Sequence, residues 1–157
     1  MKAKDEFLRI EPKLTILLAD DDEADCLLFK EALEELPVSA QLEIVHDGEQ
    51  LMELLTKKGK SLPDVLFLDL NMPRKSGAIS LGEIKRDTVL QKIPVIIFST
   101  ATEQSRVKQS FRDAAHYYIR KPTEFSEIKK VIYKALTLIV DKNFSLPGQD
   151  NFVITDD

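Results

Sequence analysis

Residues 62–77 read LPDVLFLDLNMPRKSG, and this stretch decides the fold. Val65 to Leu68 is a short apolar run, the pattern of a strand buried on both faces. It runs straight into Asp69. Asn71, Met72 and Pro73 then break the strand, and Gly77 follows four residues after the proline. An acid at the C-terminal end of a buried strand is costly unless it stands at the rim of a site. In open α/β sheets that rim is where ligands bind. Taken alone, Asp69 could equally cap the next helix, so its meaning depends on the rest of the chain.

Outward from this strand, apolar runs and helical stripes alternate. Upstream, Leu14 to Ala19 is a first buried strand, ending in the consecutive acids Asp20, Asp21, Asp22 and Glu23. A helix follows, with Leu28, Phe29, Ala32, Leu33 and Leu36 on one stripe. Asp22 and Glu23 suit its positive N-terminal end, and Pro37 stops it. Leu42 to Val45 is a second strand. After Asp47-Gly48, a second helix carries Leu51, Met52, Leu54 and Leu55 to Gly59.

Downstream of Gly77, residues 78–86 read as a third helix with Ile79 and Ile84 inward, weakened by Gly82 at a cost of about 1 kcal/mol. Pro94 opens a fourth buried strand, Val95 to Phe98, ending in Ser99, Thr100 and Thr102. A fourth helix from Glu103 to Asp113 has a thin apolar face of Val107, Phe111 and Ala114. Tyr117 to Ile119 is a short fifth strand ending at Arg120, Lys121 and Pro122. The last helix, capped by Thr123 or Ser126, buries Ile128, Val131, Ile132, Ala135, Leu136 and Ile139. The expected division is a loose arm over 1–12, one domain over 13–140 and a tail over 141–157 with no effector domain.

Composition bounds the function. The chain has 157 residues, 43% of them hydrophobic, a net charge of −5 and a single cysteine, Cys26. This fits one domain with an ordinary core. The negative balance and the lack of a basic run argue against nucleic acid as a direct partner. One cysteine allows no intrachain disulfide and points to a reducing compartment. No signal peptide is legible, and no apolar stretch approaches the roughly 18 residues of a membrane span. The expectation is a cytoplasmic protein without a membrane partner.

Strands fed through helical crossovers are parallel, with right-handed connections. The predicted fold is a three-layer α/β/α, doubly wound, five-stranded parallel sheet of order 2-1-3-4-5. That order makes strands 1, 3 and 4 neighbours. Asp20 and Asp21 from strand 1, Asp69 from strand 3, Ser99 and Thr100 from strand 4 and Lys121 from strand 5 then share one edge. Each residue is ordinary at a strand end; one polar group at every expected end is not.

Three close carboxylates repel one another unless a cation joins them. Oxygen-only ligands with an open face suit Mg²⁺, which keeps several waters and recruits phosphate oxygens. No His or Cys cluster supports zinc. A carboxylate beside Mg²⁺ and a lysine can accept a phosphoryl group as an aspartyl phosphate.

The motifs ILLADDDEAD (16–25), DVLFLDLNMPRKSG (64–77), IPVIIFSTAT (93–102) and YYIRKP (117–122) occur in that order. Together they resemble the response-regulator receiver domain, the chemotaxis-regulator class of the flavodoxin-like fold, over about residues 13–140. The resemblance implies that Asp69 is the phosphoacceptor. It implies that Asp21 binds Mg²⁺ directly, Asp20 more through water, and Asn71 through its backbone carbonyl. Ser99 becomes the switch hydroxyl, with Thr100 beside it, Lys121 the phosphoryl-pairing lysine and Tyr118 the switch aromatic; the Lys121–Pro122 bond would be cis.

Two departures matter. Ser99 stands where many relatives have Thr, and Thr100 is bulkier than the Ala or Gly often found there, which bears on the phosphoryl lifetime. Asp22 aligns with no primary ligand and reads as a helix-end charge. The stretch from Ser99 to Glu103 is similar to stand-alone receivers that serve bacterial phytochromes. The implied function is a single-domain response regulator of a two-component phosphorelay, not an enzyme beyond its own phosphotransfer and dephosphorylation. Its implied partners are a sensor histidine kinase or a histidine phosphotransfer protein, and a second copy in a homodimer.

Two other classes use similar features. A haloacid-dehalogenase-type phosphohydrolase wants a second Asp two residues after the first, where this chain has Asn71. A flavin-binding electron carrier wants a hydroxyl- and Gly-rich loop after strand 1, where Asp20 to Glu23 would repel a flavin phosphate. His46 and His116 read as surface or strand-edge residues and Cys26 as packing. Phe144 and Phe152 are unusual for a disordered tail and suit docking on the domain or on a partner.

Overall fold

The computed structural model describes residues 7–101, 103–141 and 147–156. Thr102 and Phe144, both singled out above, lie outside them. Strands β1 (Ile10–Ala19), β2 (Val38–Val45), β3 (Val65–Leu68), β4 (Val95–Ser99), β5 (Tyr117–Arg120) and β6 (Val153–Ile154) form one sheet in the order 2-1-3-4-5-6. Every pairing is parallel. Five helices lie between and after the strands: α1 (Glu23–Glu34), α2 (Gly48–Thr56), α3 (Gly77–Arg86), α4 (Gln104–Arg112) and α5 (Phe125–Val140). None of the described helices is long and apolar enough to cross a membrane.

The sheet separates two cores. On one side α1 and α5 bury Phe29, Leu33, Val131 and Leu136 against Ile16, Phe67 and Ile119. On the other, α2, α3 and α4 bury Leu51, Leu81, Ile84 and Val107 against Leu17, Leu66 and Ile97. Alternate residues of one strand feed opposite cores, Val65 and Phe67 one, Leu66 and Leu68 the other. That is why β3 reads as an unbroken apolar run: successive side chains point to opposite faces, and both faces are covered.

Four details differ from the sequence reading. β1 begins at Ile10, inside the expected arm, where Ile10 N–H donates to Pro37 O and the residue is buried. On α3, Ile79 is 56% exposed and Leu81 is buried with Ile84; Ser76 caps the helix through Ile79 N–H, fixing the inward stripe two residues further on. Leu28 lies at the exposed edge of its stripe. The residue before α5 is Glu124, and no side chain caps that helix.

The largest addition is β6. The segment expected as a tail lies along the free edge of β5, with Tyr118 N–H donating to Phe152 O at 3.0 Å. Phe152 is 1% exposed. Its ring centroid is 5.4 Å from that of Phe111 and 6.3 Å from that of Tyr118. Lys134 Nζ on α5 donates to Thr155 O at 2.6 Å. The thin apolar face of α4 is thus completed by an aromatic from the chain's C-terminal region.

Candidate functional site: an acidic cluster with a buried lysine

Asp20, Asp69 and Lys121 each stand one step beyond a strand, and the sheet ladder places them there. Asp20 N–H donates to Val45 O at 3.0 Å, Asp69 N–H to Ala19 O at 2.9 Å and Lys121 N–H to Ser99 O at 2.9 Å. The pairing continues past each strand end, so the backbones under three charged side chains are fixed by the register. The edge lies where β1 and β3 run side by side while their connections leave in opposite directions, the usual ligand position in such sheets.

The carboxylates of Asp20, Asp21 and Asp69 each place an oxygen within 4.8 Å of the others. Asp20 and Asp69 are buried and Asp21 is exposed, so the cluster has one open side. Lys121 is buried against the cluster. Its Nζ lies 2.6 Å from Asp20 Oδ2, 2.9 Å from Asp25 Oδ2 and 3.2 Å from Asp69 Oδ2. Burial pushes the Asp20 carboxyl up to about 6, against the downward pull of Lys121 and of the Asp22 N–H. For Lys121, burial pulls downward, but the bonds to Asp20 and Asp25 and the charges of Asp20 and Asp69 outweigh it and hold the ammonium above its ordinary value.

The loop after β3 is built around close approaches. A Cβ at Gly77 would overlap the Asp69 carbonyl, and one at Gly48 would overlap the Lys75 carbonyl. Asn71 N–H donates to Asp69 Oδ1 at 3.2 Å. Arg74, in the left-handed region at φ 63, donates through Nε and Nη2 to buried Asp47 at 2.9 and 2.6 Å. A fork held to a buried acid offsets the cost of that backbone conformation.

The remaining sequence-predicted residues fall as follows. Ser99 is wholly buried, and its Oγ accepts the Ala101 N–H at 3.2 Å. Thr100 is exposed. Tyr118 is wholly buried, with its hydroxyl donating to Ala101 O at 2.8 Å. Asp22 accepts from Asp25 N–H at 3.0 Å as the cap of α1, the helix-end role read from sequence. The Lys121–Pro122 bond is trans, since no described peptide bond is cis, which corrects the expectation from the resemblance. Lys121 meets all three acids with the bond in the form that X–Pro linkages ordinarily prefer.

His46 is exposed, with Nδ1 3.1 Å from Asp20 O. His116 stands at the opposite end of the sheet, where Nδ1 accepts the Val95 N–H at 3.3 Å. Cys26 is buried, its thiol pushed up to about 12 by burial, and packs as expected. Two residues join the site without having been singled out. Asp25 is the third acid on Lys121. Arg106, on α4, donates from Nη1 to Asn71 Oδ1 at 2.7 Å.

The donor set fits a hard divalent cation. Three carboxylates offer oxygen ligands, one side is open, and the single lysine among them leaves the group net negative. The same arrangement leaves one Asp69 oxygen facing a lysine and the other facing a backbone donor.

Comparison with known proteins agrees. The family model described as the response regulator receiver domain matches residues 16–133. The response regulator Rcp1 of Synechocystis sp. is 31% identical over 125 residues, 77% of this chain and 85% of that protein. Among solved structures, the phosphorylated cyanobacterial phytochrome response regulator RcpA superposes with a TM-score of 0.75 at 33% identity, covering 87% of this chain and 100% of that one. The Mn²⁺-bound form of Rcp1 superposes with a TM-score of 0.72 at 29% identity, covering 86% and 99%.

Proposed function

Because the chain belongs to the response regulator receiver domain family, we propose that it is a phosphorylation-dependent switch in a two-component relay, with Asp69 as phosphoacceptor. The observation that carries this is the placement of Asp69 among Asp20, Asp21 and Lys121. A sensor histidine kinase or a histidine phosphotransfer protein is the proposed donor; the relatives' link to phytochromes makes a light-sensing kinase the first candidate.

Asp20, Asp21, Asp69 and the Asn71 carbonyl would hold Mg²⁺, which neutralises charge on a phosphoryl group and orients it. An Asp69 oxygen attacks phosphorus as the bond to the donor breaks. Lys121 then pairs with a phosphoryl oxygen. Ser99 supplies a hydroxyl hydrogen bond that exists only in the phosphorylated state and so shifts a conformational equilibrium. The face built by α4, β5 and α5 carries the output, to a separate target or to a second copy. The protein is a phosphoacceptor and not an enzyme on other substrates.

Intact mass after incubation with acetyl phosphate tests the assignment. The expected result is one added phosphoryl group in wild type with Mg²⁺, none after chelation and none in Asp69→Asn. Undiminished uptake in Asp69→Asn would overturn it.

A further inference from the structure

Arg106 and Asn71 are 35 residues apart and belong to different elements, yet they meet in a 2.7 Å hydrogen bond at the mouth of the acidic cluster. The backbone under Arg106 is well held. Val107 beside it is buried, and Ser110 Oγ donates back to Arg106 O at 2.9 Å. The side chain is itself partly buried. On the other side, Asn71 N–H holds Asp69 Oδ1, so the residue that Arg106 grips borders the phosphoacceptor.

The bond also fixes which way the Asn71 amide faces. A guanidinium has five donors and no acceptor. Only the amide oxygen can meet it, so the NH₂ end is left over, and no bond to that nitrogen occurs among the described residues. Without Arg106 the amide can turn over, offering its oxygen where its nitrogen had been. The two orientations differ chemically. An NH₂ group stabilises a neighbouring phosphoryl oxygen, while a carbonyl oxygen accepts a hydrogen bond from water and can orient it for attack.

Building on the proposed role of Asp69, we infer that Arg106 is a positioning residue that lengthens the life of the aspartyl phosphate by holding the Asn71 amide with its donor end free. In the hydrolysis it opposes, a water oxygen bonds to phosphorus while the bond from phosphorus to the Asp69 oxygen breaks. Inorganic phosphate leaves, the carboxylate is regenerated and the water proton passes to solvent.

The test charges the full chain with acetyl phosphate and Mg²⁺, removes the donor and follows decay by intact mass. The net worth of one ordinary hydrogen bond supports an effect of roughly fivefold. Arg106→Met, which has no donor, should therefore decay about fivefold faster, and Arg106→Lys, which keeps a donor for the amide oxygen, should recover much of the loss. Asn71→Ala should decay faster on its own, and in its background Arg106→Met should make no further difference. Mg²⁺ affinity should change little in Arg106→Met. Unchanged lifetimes in Arg106→Met overturn the inference, as does an equal fold-change in the Asn71→Ala background. In both cases normal charging of wild type leaves the role of Asp69 standing, whereas failure of wild type to charge removes both.

Discussion

The Tyr118 hydroxyl donates to the Ala101 carbonyl at 2.8 Å. Ser99 Oγ holds the N–H of the same residue at 3.2 Å, so the start of the β4–α4 loop is gripped from both sides by the two residues proposed to form the switch. Tyr118 already lies inside, against Phe152; no outward rotamer is needed to form the grip. Ser99 accepts here from the Ala101 N–H, and a phosphoryl oxygen on Asp69 would offer its hydroxyl proton a charged acceptor.

Removing the tyrosine hydroxyl should therefore be costly. Tyr118→Phe leaves a buried carbonyl without its donor, and the expected loss is about 1–3 kcal/mol in urea unfolding. Ser99→Ala should fold but fail to respond when beryllofluoride mimics the phosphoryl group, read by sedimentation and by NMR shifts over α4 and β5. An identical response in Ser99→Ala and wild type would exclude this route.

Two adjacent acids should separate metal binding from stability. Asp21→Ala should weaken Mg²⁺ binding strongly and leave stability nearly unchanged, since Asp21 is exposed within the cluster. Asp22→Ala should lower stability by about 1 kcal/mol through loss of the α1 cap, with a much smaller effect on Mg²⁺. Calorimetric titration beside urea unfolding checks both; equal metal losses would contradict the register.

Lys121 is the counter-charge for a buried acid. Lys121→Met should cost about 3–5 kcal/mol in metal-free buffer, because Asp20 keeps its burial and loses its partner. Saturating Mg²⁺ should return part of this by binding the native state. A loss that is the same with and without the metal would show that Lys121 and Mg²⁺ do not serve the same charges.

His116 should give the fold a pH dependence unrelated to phosphorylation. Burial, aided by the Lys85 charge, pulls its value down from 6.5 to about 4, and Nδ1 must be unprotonated to accept the Val95 N–H. A base with a lowered native value binds protons more readily when unfolded. Its contribution is therefore complete above pH 6.5 and is lost as the pH falls from there through about 4. Urea midpoints across this window should fall in wild type and fall less in His116→Asn.

Much of this was legible in the sequence because buried parallel strands are short apolar runs with abrupt polar ends. Asp20, Asp69, Ser99 and Lys121 each stand at such an end, so strand order alone brought them together. Asp25 and Arg106 carry no such mark. One reads as a first-turn acid suited to any helix, the other as a surface charge on a helix of thin apolar face, and only packing reveals their partners. Ile79 is misplaced because Gly82 interrupts the α3 stripe and leaves two phases nearly equal. β6 is two residues long, too short for any period to show.

That short strand has a practical consequence for anyone shortening the chain. A version trimmed after Val140 would bare the outer edge of β5, leaving the Tyr118 N–H without the Phe152 carbonyl it now meets at 3.0 Å. It would also uncover the rings of Phe111 and Tyr118 beside that edge. An open strand margin next to an apolar patch is a template for pairing with another molecule. The trimmed protein would thus report a stickiness of its own making, and experiments on self-association are best done on the intact chain.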